Sequence, residues 1–330
     1  MMRKMTTYLV LVVGLIILFI YMIRMPGDSY KTALPPLDAG GQAVARRLES
    51  HVRILCSHPA GRNHIEKKGL TLARDYITGQ LEASGYQVEF QVYQIAGDDY
   101  ANIEVTRLGK AYPDEIIVVG AHYDAVIGAP GANDNGSGVA ALLELADRFK
   151  NAELPRTIRF VAFVNEEPPH FMAGTMGSDF YARHAASQQE NIIAMYSLET
   201  IGYFRDDASS QHYPPPFSFF YPSQGNFIAF VGNLRSRGLV TRSIRAFRSH
   251  ATFPSEGIAA PSFIPGINWS DHWSFWKQGY PAVMITDTAP YRYPHYHSSE
   301  DTPDKVDYDK MVHVVHGLEK MLEDLSGARE

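Results

Sequence analysis

Between residues 115 and 198 the chain alternates short unbroken apolar runs with stretches of helical period, and this alternation restricts the fold more than any other feature. Ile116-Ile117-Val118-Val119 stands inside Glu115–Ala121, and Thr157–Val164 and Ile192–Leu198 repeat the pattern. A strand with one wet face alternates apolar and polar side chains, whereas an unbroken run needs both faces covered. Ser137–Lys150 and Met176–Gln188, which separate the runs, have the period of amphipathic helices. The order β-α-β-α-β therefore predicts an α/β domain of three layers (αβα), with a mixed, mostly parallel sheet between helices. Ala43–Leu55 and Ile65–Ser84 read as preceding helices, and Tyr86–Tyr93 and Asn102–Leu108 as preceding strands. Phe227–Gly232 and Val283–Thr286 complete the sheet, and Lys305–Leu325 is a closing helix.

The first 25 residues are different in kind. Arg3 and Lys4 precede Tyr8–Ile23, which is apolar apart from Gly14 and the tyrosines. With Thr6 and Thr7 this reaches the roughly 17 to 25 residues that cross a bilayer. The run ends Met22-Ile23-Arg24-Met25-Pro26, without the small-residue pattern of a signal-peptide cleavage site. The reading is a membrane anchor over 1–25, a linker with Pro26, Gly27, Pro35 and Pro36 over 26–39, and a catalytic domain over 40–330. Arg3, Lys4 and the terminal amine, set against Arg24 and Lys31, favour a single-pass chain with its N-terminus inside and its main domain outside the cytoplasm.

Composition excludes several classes. With 45% hydrophobic and 20% charged residues, a large core is available and wholesale disorder is not expected. A formal net charge of -6, with no basic patch among aromatics, gives nucleic acid no electrostatic foothold. Cys56 is the single cysteine, so there is neither an intrachain disulfide nor a multi-cysteine zinc site. It is read as a structural thiol at a helix end.

Ligand sites in open α/β sheets lie outside the carboxyl ends of the strands. Here those ends carry charge. His122-Tyr123-Asp124 follows the first buried run, Asn165-Glu166-Glu167 the second and Glu199 the third, and His295-Tyr296-His297 comes soon after Val283–Thr286. Asn133-Asp134-Asn135-Gly136-Ser137-Gly138 opens the helix between the first two runs. Carboxylates and imidazoles converging on one cleft repel or desolvate badly unless a cation joins them. A mixed set of nitrogen and oxygen donors suits zinc, and two histidines with three or four carboxylates exceed what one tetrahedral ion needs. Gly136-Ser137-Gly138 does not fit the Gly-x-Ser-x-Gly elbow of serine hydrolases.

Gly120-Ala121-His122-Tyr123-Asp124, Ala132–Gly138, Asn165-Glu166-Glu167, Leu198-Glu199 and Tyr296–Thr302 together resemble, in order and spacing, metallopeptidase family 28. That family includes aminopeptidases, glutamate carboxypeptidase and glutaminyl cyclases. The resemblance covers roughly residues 45 to 325, and implies a zinc-exopeptidase fold and a peptide substrate. It implies two zinc ions, one held by His122, Asp134 and Glu199, the other by Asp134, Glu167 and His297. Glu166 would be the general base acting on a zinc-bound hydroxide, Tyr296 would hydrogen-bond the oxyanion, and Asp124 would accept the spare ring N–H of His122. The Asp134–Asn135 peptide is often cis in the family.

Two departures leave the activity open between aminopeptidase, carboxypeptidase and glutaminyl cyclase, with an inactive receptor-like domain as a further alternative. The family's aminopeptidases usually carry aspartate where Glu199 stands. The loop after Glu167 is longer, Pro168 to Ser178, and its His170 reads as a surface histidine that could otherwise reach the site. Asp271-His272 reads as site support, substrate lining or a plain helix start, and His295 as the weaker competitor of His297. Loops 203–225 and 248–268 are the expected walls of a specificity pocket. Oligomeric state is not readable from the sequence.

Overall fold

The computed structural model describes residues 2–327; residue 1 and residues 328–330, the outer ends of the expected anchor and catalytic domain, lie outside the described residues. The chain opens with helix α1 (Met2–Ile23), followed by α2 (Ala39–Leu55) and α3 (Lys67–Ala83). Strands β1 (Glu89–Ile95), β2 (Asp98–Arg107) and β3 (Tyr112–His122) lead to α4 (Gly138–Phe149) and β4 (Arg156–Phe163). Helix α5 (Gly177–Ser187), β5 (Asn191–Glu199), β6 (Ile228–Gly232) and α6 (Arg237–His250) follow. The chain ends with β7 (Ser255–Ala259), α7 (His272–Lys277), β8 (Ala282–Thr286), the short α8 (Ala289–Arg292) and α9 (Tyr308–Gly327).

All eight strands form one sheet in the order β1-β2-β4-β3-β5-β8-β6-β7. The centre, β4-β3-β5-β8, is parallel, while β2 joins β4 and β6 joins β8 in antiparallel fashion. Helices α4, α6 and α9 pack on one face, and α5 and α7 on the other. Each central strand is thus sandwiched, which is why Ile117, Val118 and Val119 are all at most 1% exposed and why their run is unbroken. The larger core, around Leu48, Val139, Phe160, Phe247 and Val315, fills the α2/α4/α6/α9 side, and a smaller one around Val118, Phe163 and Phe275 fills the other.

Two stretches depart from the sequence reading. Residues 248–268, expected to be loop, contain the end of α6 and the edge strand β7, which pairs in parallel with β6. Ser255-Glu256-Gly257 carries no strand-like pattern, and β7 exists because β6 offers it backbone partners. Helix α6 was not legible either, because its buried face uses Ser243 and Ala246 beside Leu239, Ile244 and Phe247. Cys56 follows α2 directly, partly buried, with its Sγ 3.9 Å from an Arg62 guanidinium nitrogen.

Arg62 itself is 1% exposed and organises the segment behind the site. Its Nε donates to the Tyr123 carbonyl at 2.7 Å, Nη1 to Pro130 O at 2.5 Å and Nη2 to Gly131 O at 2.7 Å. One guanidinium therefore holds both ends of the loop that runs from β3 to Asp134. Removing it leaves the Tyr123 and Pro130 carbonyls without that donor, while Gly131 O keeps Gly136 N–H at 3.0 Å, and Arg62→Met is expected to lower the unfolding free energy by about 3 kcal/mol, measured by urea titration of the purified protein.

Candidate metal and catalytic centre

The carboxyl ends of β3, β4 and β5 meet at one place. Gly120 is in register with Ser197, so two residues further His122 and Glu199 stand side by side on the same face of neighbouring strands. The chain leaves these strands abruptly. Asn165, just before Glu166, has φ 60°, and Thr200, just after Glu199, has φ 48°. Non-glycine residues in this left-handed region are held there by their surroundings. Thr200 N donates to Asn135 Oδ1 at 3.1 Å, and the same oxygen accepts from Gly138 N, while Asn135 Nδ2 donates to Leu198 O at 2.8 Å. A Cβ on Gly138 would collide with Asn135 Oδ1 and lie 2.6 Å from Leu198 O, so only glycine lets α4 begin so close to β5.

These constraints bring six of the expected residues together. His122 Nε2 lies 3.4 Å from Asp134 Oδ1, 3.3 Å from Glu199 Oε2 and 3.9 Å from Glu166 Oε2. His297 Nε2 lies 3.1 Å from Asp134 Oδ2 and 3.3 Å from Glu167 Oε2. The donors form two triads, His122–Asp134–Glu199 and Asp134–Glu167–His297, each with its ligand atoms within 4.8 Å of one another. Asp134 is shared and turns one oxygen to each. The Asp134–Asn135 peptide is cis. His295 stands in neither triad and packs edge-on against Tyr293.

Asp124 faces His122 and has a further role. His122 Nδ1 is 3.2 Å from the Asp124 backbone carbonyl and 3.5 Å from its carboxylate. The carboxylate also accepts the backbone N–H groups of Glu166 and Glu167, each at 3.1 Å. Asp124 thereby fixes the turn that points those two side chains apart. Tyr296 stacks on the His297 ring with centroids 3.8 Å apart. Burial, then the surrounding carboxylates of Asp134, Glu167, Glu199 and Glu166, push its phenol far above the usual range.

The electrostatics are those of an acid cluster short of positive charge. Burial raises Glu166 well above an ordinary carboxyl, His122 pulls the other way, and Glu199 and Glu167 add to the rise. Burial and the neighbouring Asp134 push Glu167 up to about 7. Burial also raises Glu199. Asp134 goes the other way, because the two imidazoles outweigh its burial. Burial alone would lower both histidines, but Glu199 and Glu166 hold His122 well above its normal value, and Asp134 and Glu167 lift His297 to about 10.

A metal fits this set. His122 Nε2, Asp134 Oδ1 and Glu167 Oε1 are buried without a hydrogen-bond partner, an arrangement that costs stability unless something else satisfies them. Zinc ligands at about 2.0–2.1 Å in tetrahedral array sit roughly 3.3–3.4 Å from each other, and the nitrogen–oxygen separations above run from 3.1 to 3.4 Å.

Several supporting residues escaped the sequence reading. Asp301 accepts from Asn133 N at 2.8 Å, Asp134 N at 3.0 Å and the Tyr293 hydroxyl at 2.7 Å, so it orients the shared ligand from 167 positions away. Asp287 accepts from Asn133 Nδ2 at 2.9 Å and Tyr203 N at 2.8 Å, and Ser270 Oγ donates to Glu199 Oε2 at 2.8 Å. Nothing local in the sequence distinguishes these from ordinary polar residues. His170, expected on the surface, is 8% exposed. Its N–H donates to Glu167 O, its Nδ1 is 3.0 Å from Thr175 Oγ1, and its ring meets His64 edge-on. The longer loop folds inward over itself and covers it. Asp271 and His272, directly at the start of α7, are fully buried behind the site.

Beside Glu199 opens an apolar cavity, walled by Tyr213, Phe217, Ile264, Trp269, Met284 and Tyr296, among others. Among the described residues, its charged lining is Glu199 and Glu256, with no lysine or arginine. Segments 213–221 and 256–267 supply much of the wall, within the two stretches expected to shape a pocket, and Trp269 lies just beyond the second.

The chain is similar to known proteins of one family. The family model for peptidase family M28 matches residues 102–321. The protein YfbL of Escherichia coli strain K12 is 38% identical over 94% of this chain and 98% of its own length. Leucine aminopeptidase 1 of Arthroderma otae is 28% identical over 88% of this chain and 77% of its own. A glutaminyl cyclase from Fimbriiglobus ruber superposes with a TM-score of 0.64 at 20% identity, covering 91% of this chain and 99% of that structure.

Because the triads hold protons when no metal is present, metal binding must release them. His122 and His297 are raised and Glu167 is half-protonated near neutrality, so zinc affinity is expected to climb as pH rises from 6 to 8. Calorimetric titration in buffers of different ionisation enthalpy should show net proton release, and a pH-independent affinity without proton release would contradict the assignment of these ligands.

Proposed function

Since the chain belongs to peptidase family M28, we propose that it is a zinc exopeptidase that removes N-terminal residues from peptides, with two ions per chain. His122, Asp134 and Glu199 would hold one ion, and Asp134, Glu167 and His297 the other. Zinc bound there supplies a Lewis acid that polarises the scissile carbonyl and eases deprotonation of water.

The protein's own groups supply the rest. Glu166 stands at the border of the two triads and takes the proton of the attacking water. Its pKa is raised by burial, which favours its holding that proton and passing it to the departing amine. The Asp124 carboxylate, bonded to the Glu166 and Glu167 N–H groups, keeps one carboxylate for the ligand set and the other for the proton. Tyr296 stays protonated and donates a hydrogen bond to the oxygen on which negative charge develops.

The observation that carries the amino-end reading is the cavity beside Glu199. It is apolar, it carries two carboxylates, and it has no lysine or arginine lining it. With Glu199 given to the metal, Glu256 is the remaining carboxylate of the lining, 3.9 Å from Arg248 Nη2, and it suits a free α-ammonium better than a terminal carboxylate. The apolar walls suit an aliphatic or aromatic side chain better than the amide of an N-terminal glutamine, which sets glutaminyl cyclisation second. Helix α1 has an apolar window, Thr6–Ile23, with 6% of it buried, and we read it as a single membrane span that leaves the catalytic domain outside the cytoplasm.

Purified full-length protein should release leucine or phenylalanine from aminoacyl amides, lose that activity to a chelator and regain it with zinc. Glu166→Gln is expected to lower kcat by about 10²–10⁴-fold with metal content unchanged. Activity that survives both complete metal removal and Glu166→Gln would end this mechanism, and pyroglutamate formation from glutaminyl peptides in place of aminopeptidase turnover would move the assignment to the cyclase.

A further inference from the structure

Phe19 lies four residues inside the end of the apolar window Thr6–Ile23, yet it touches the catalytic domain. Its ring is 4.7 Å from that of Phe220 and 5.8 Å from that of Phe217, centroid to centroid. Met22 is buried in the same cluster as Phe217, Phe227 and Ile267. Arg237, the first residue of α6, donates to Tyr21 O at 2.6 Å and lays its guanidinium 3.9 Å over the Tyr21 ring. The helix thus meets the domain before its apolar stretch ends. A helix rises 1.5 Å per residue, so Phe217 and Phe220 stand beside a point about 6 Å inside the apolar end.

The same region carries the two most exposed large apolar side chains outside α1 among the described residues, Phe219 and Phe263. Phe219 and Phe263 are both 84% exposed, and Phe220 is 55% exposed. Ile264, next to Phe263, packs on the cluster that holds Met22. Charge changes here as well. Residues 208–255 contain five arginines, at 235, 237, 242, 245 and 248, and no aspartate, glutamate or lysine, in a chain of net charge -6. Exposed aromatic side chains beside basic ones are the composition of a surface that lies in the lipid interface.

We propose that the catalytic domain makes a second contact with the bilayer, in which Phe219, Phe220 and Phe263 enter the lipid interface beside α1, and arginines at the start of α6 face anionic headgroups. This rests on the reading of α1 as a span. The segments that carry the three phenylalanines also wall the apolar cavity beside Glu199, so the seated domain holds that cavity at the membrane surface. Its substrates are then peptides that lie on the bilayer with an apolar amino end.

The test uses full-length protein in vesicles of phosphatidylcholine and phosphatidylglycerol, in a Cys56→Ser background with single nitroxide labels. Phe219→Cys and Phe263→Cys probe the proposed contact at highly exposed positions that leave the core intact. Leu15→Cys reports the span, and Glu82→Cys on α3, at the opposite edge of the sheet from β7, reports water. The ratio of oxygen to nickel-chelate accessibility at 219 and 263 is expected to exceed that at 82 several-fold, with 15 higher still, and to fall when phosphatidylglycerol is omitted. Labels at 219 and 263 that match 82 while 15 sits in hydrocarbon would overturn the second contact and leave the span standing. A label at 15 in water would overturn both. Insensitivity to phosphatidylglycerol would overturn the headgroup part.

Discussion

Asp134 is the point on which the structure turns. It sits between two imidazoles, one oxygen facing each, at the end of the loop that α4 continues. Around it stand the carboxylates of Glu166, Glu167 and Glu199, all buried. Such a set is unstable by itself, since each carboxylate has lost water and gained like-charged neighbours. Two histidines answer part of that cost, and bound metal would answer the remainder. The rest of the fold is arranged to keep this group together in spite of it.

The restraint is built from rigid parts. Parallel pairing of β3 with β5 sets His122 beside Glu199. Arg62 clasps the loop that follows β3, and Asp301 grips the backbone of Asn133 and Asp134 from the other end of the chain. Asp124 spends its carboxylate on the backbone of the Glu166–Glu167 turn. Left-handed residues at Asn165, Thr200 and His297 mark where the chain is forced out of regular structure to aim a side chain. A site made this way loses little entropy on binding metal or substrate, because its geometry exists beforehand.

The cavity and the helix α1 belong to the same side of the molecule. The aromatic segment 213–221 packs against Phe19 and Met22 and also walls the cavity beside Glu199. The cavity wall and the N-terminal helix thus share one set of side chains.

How much of this was legible follows from range. Runs such as Ile116–Val119 are local, and a run with no polar position announces a strand buried on both faces, so the layers and the parallel centre could be read directly. Charge at successive strand ends is local too, which is why His122, Asp134, Glu166, Glu167, Glu199 and His297 stood out. The strand β7 could not be read, because its pattern is polar and its existence depends on β6. His170 was misplaced because the inward turn of its loop depends on Thr175 and His64, not on its neighbours in sequence. Asp301, Asp287 and Arg62 were invisible as site residues, since their roles arise from contacts spanning more than sixty residues. The sequence alone determined which chemistry gathers at the sheet's edge, because residue type and strand position are written locally. Only the tertiary structure decided that Asp124 holds a turn, that Asp301 holds Asp134, and that the cavity lies beside α1, because those are distances between parts of the chain that sequence order does not constrain.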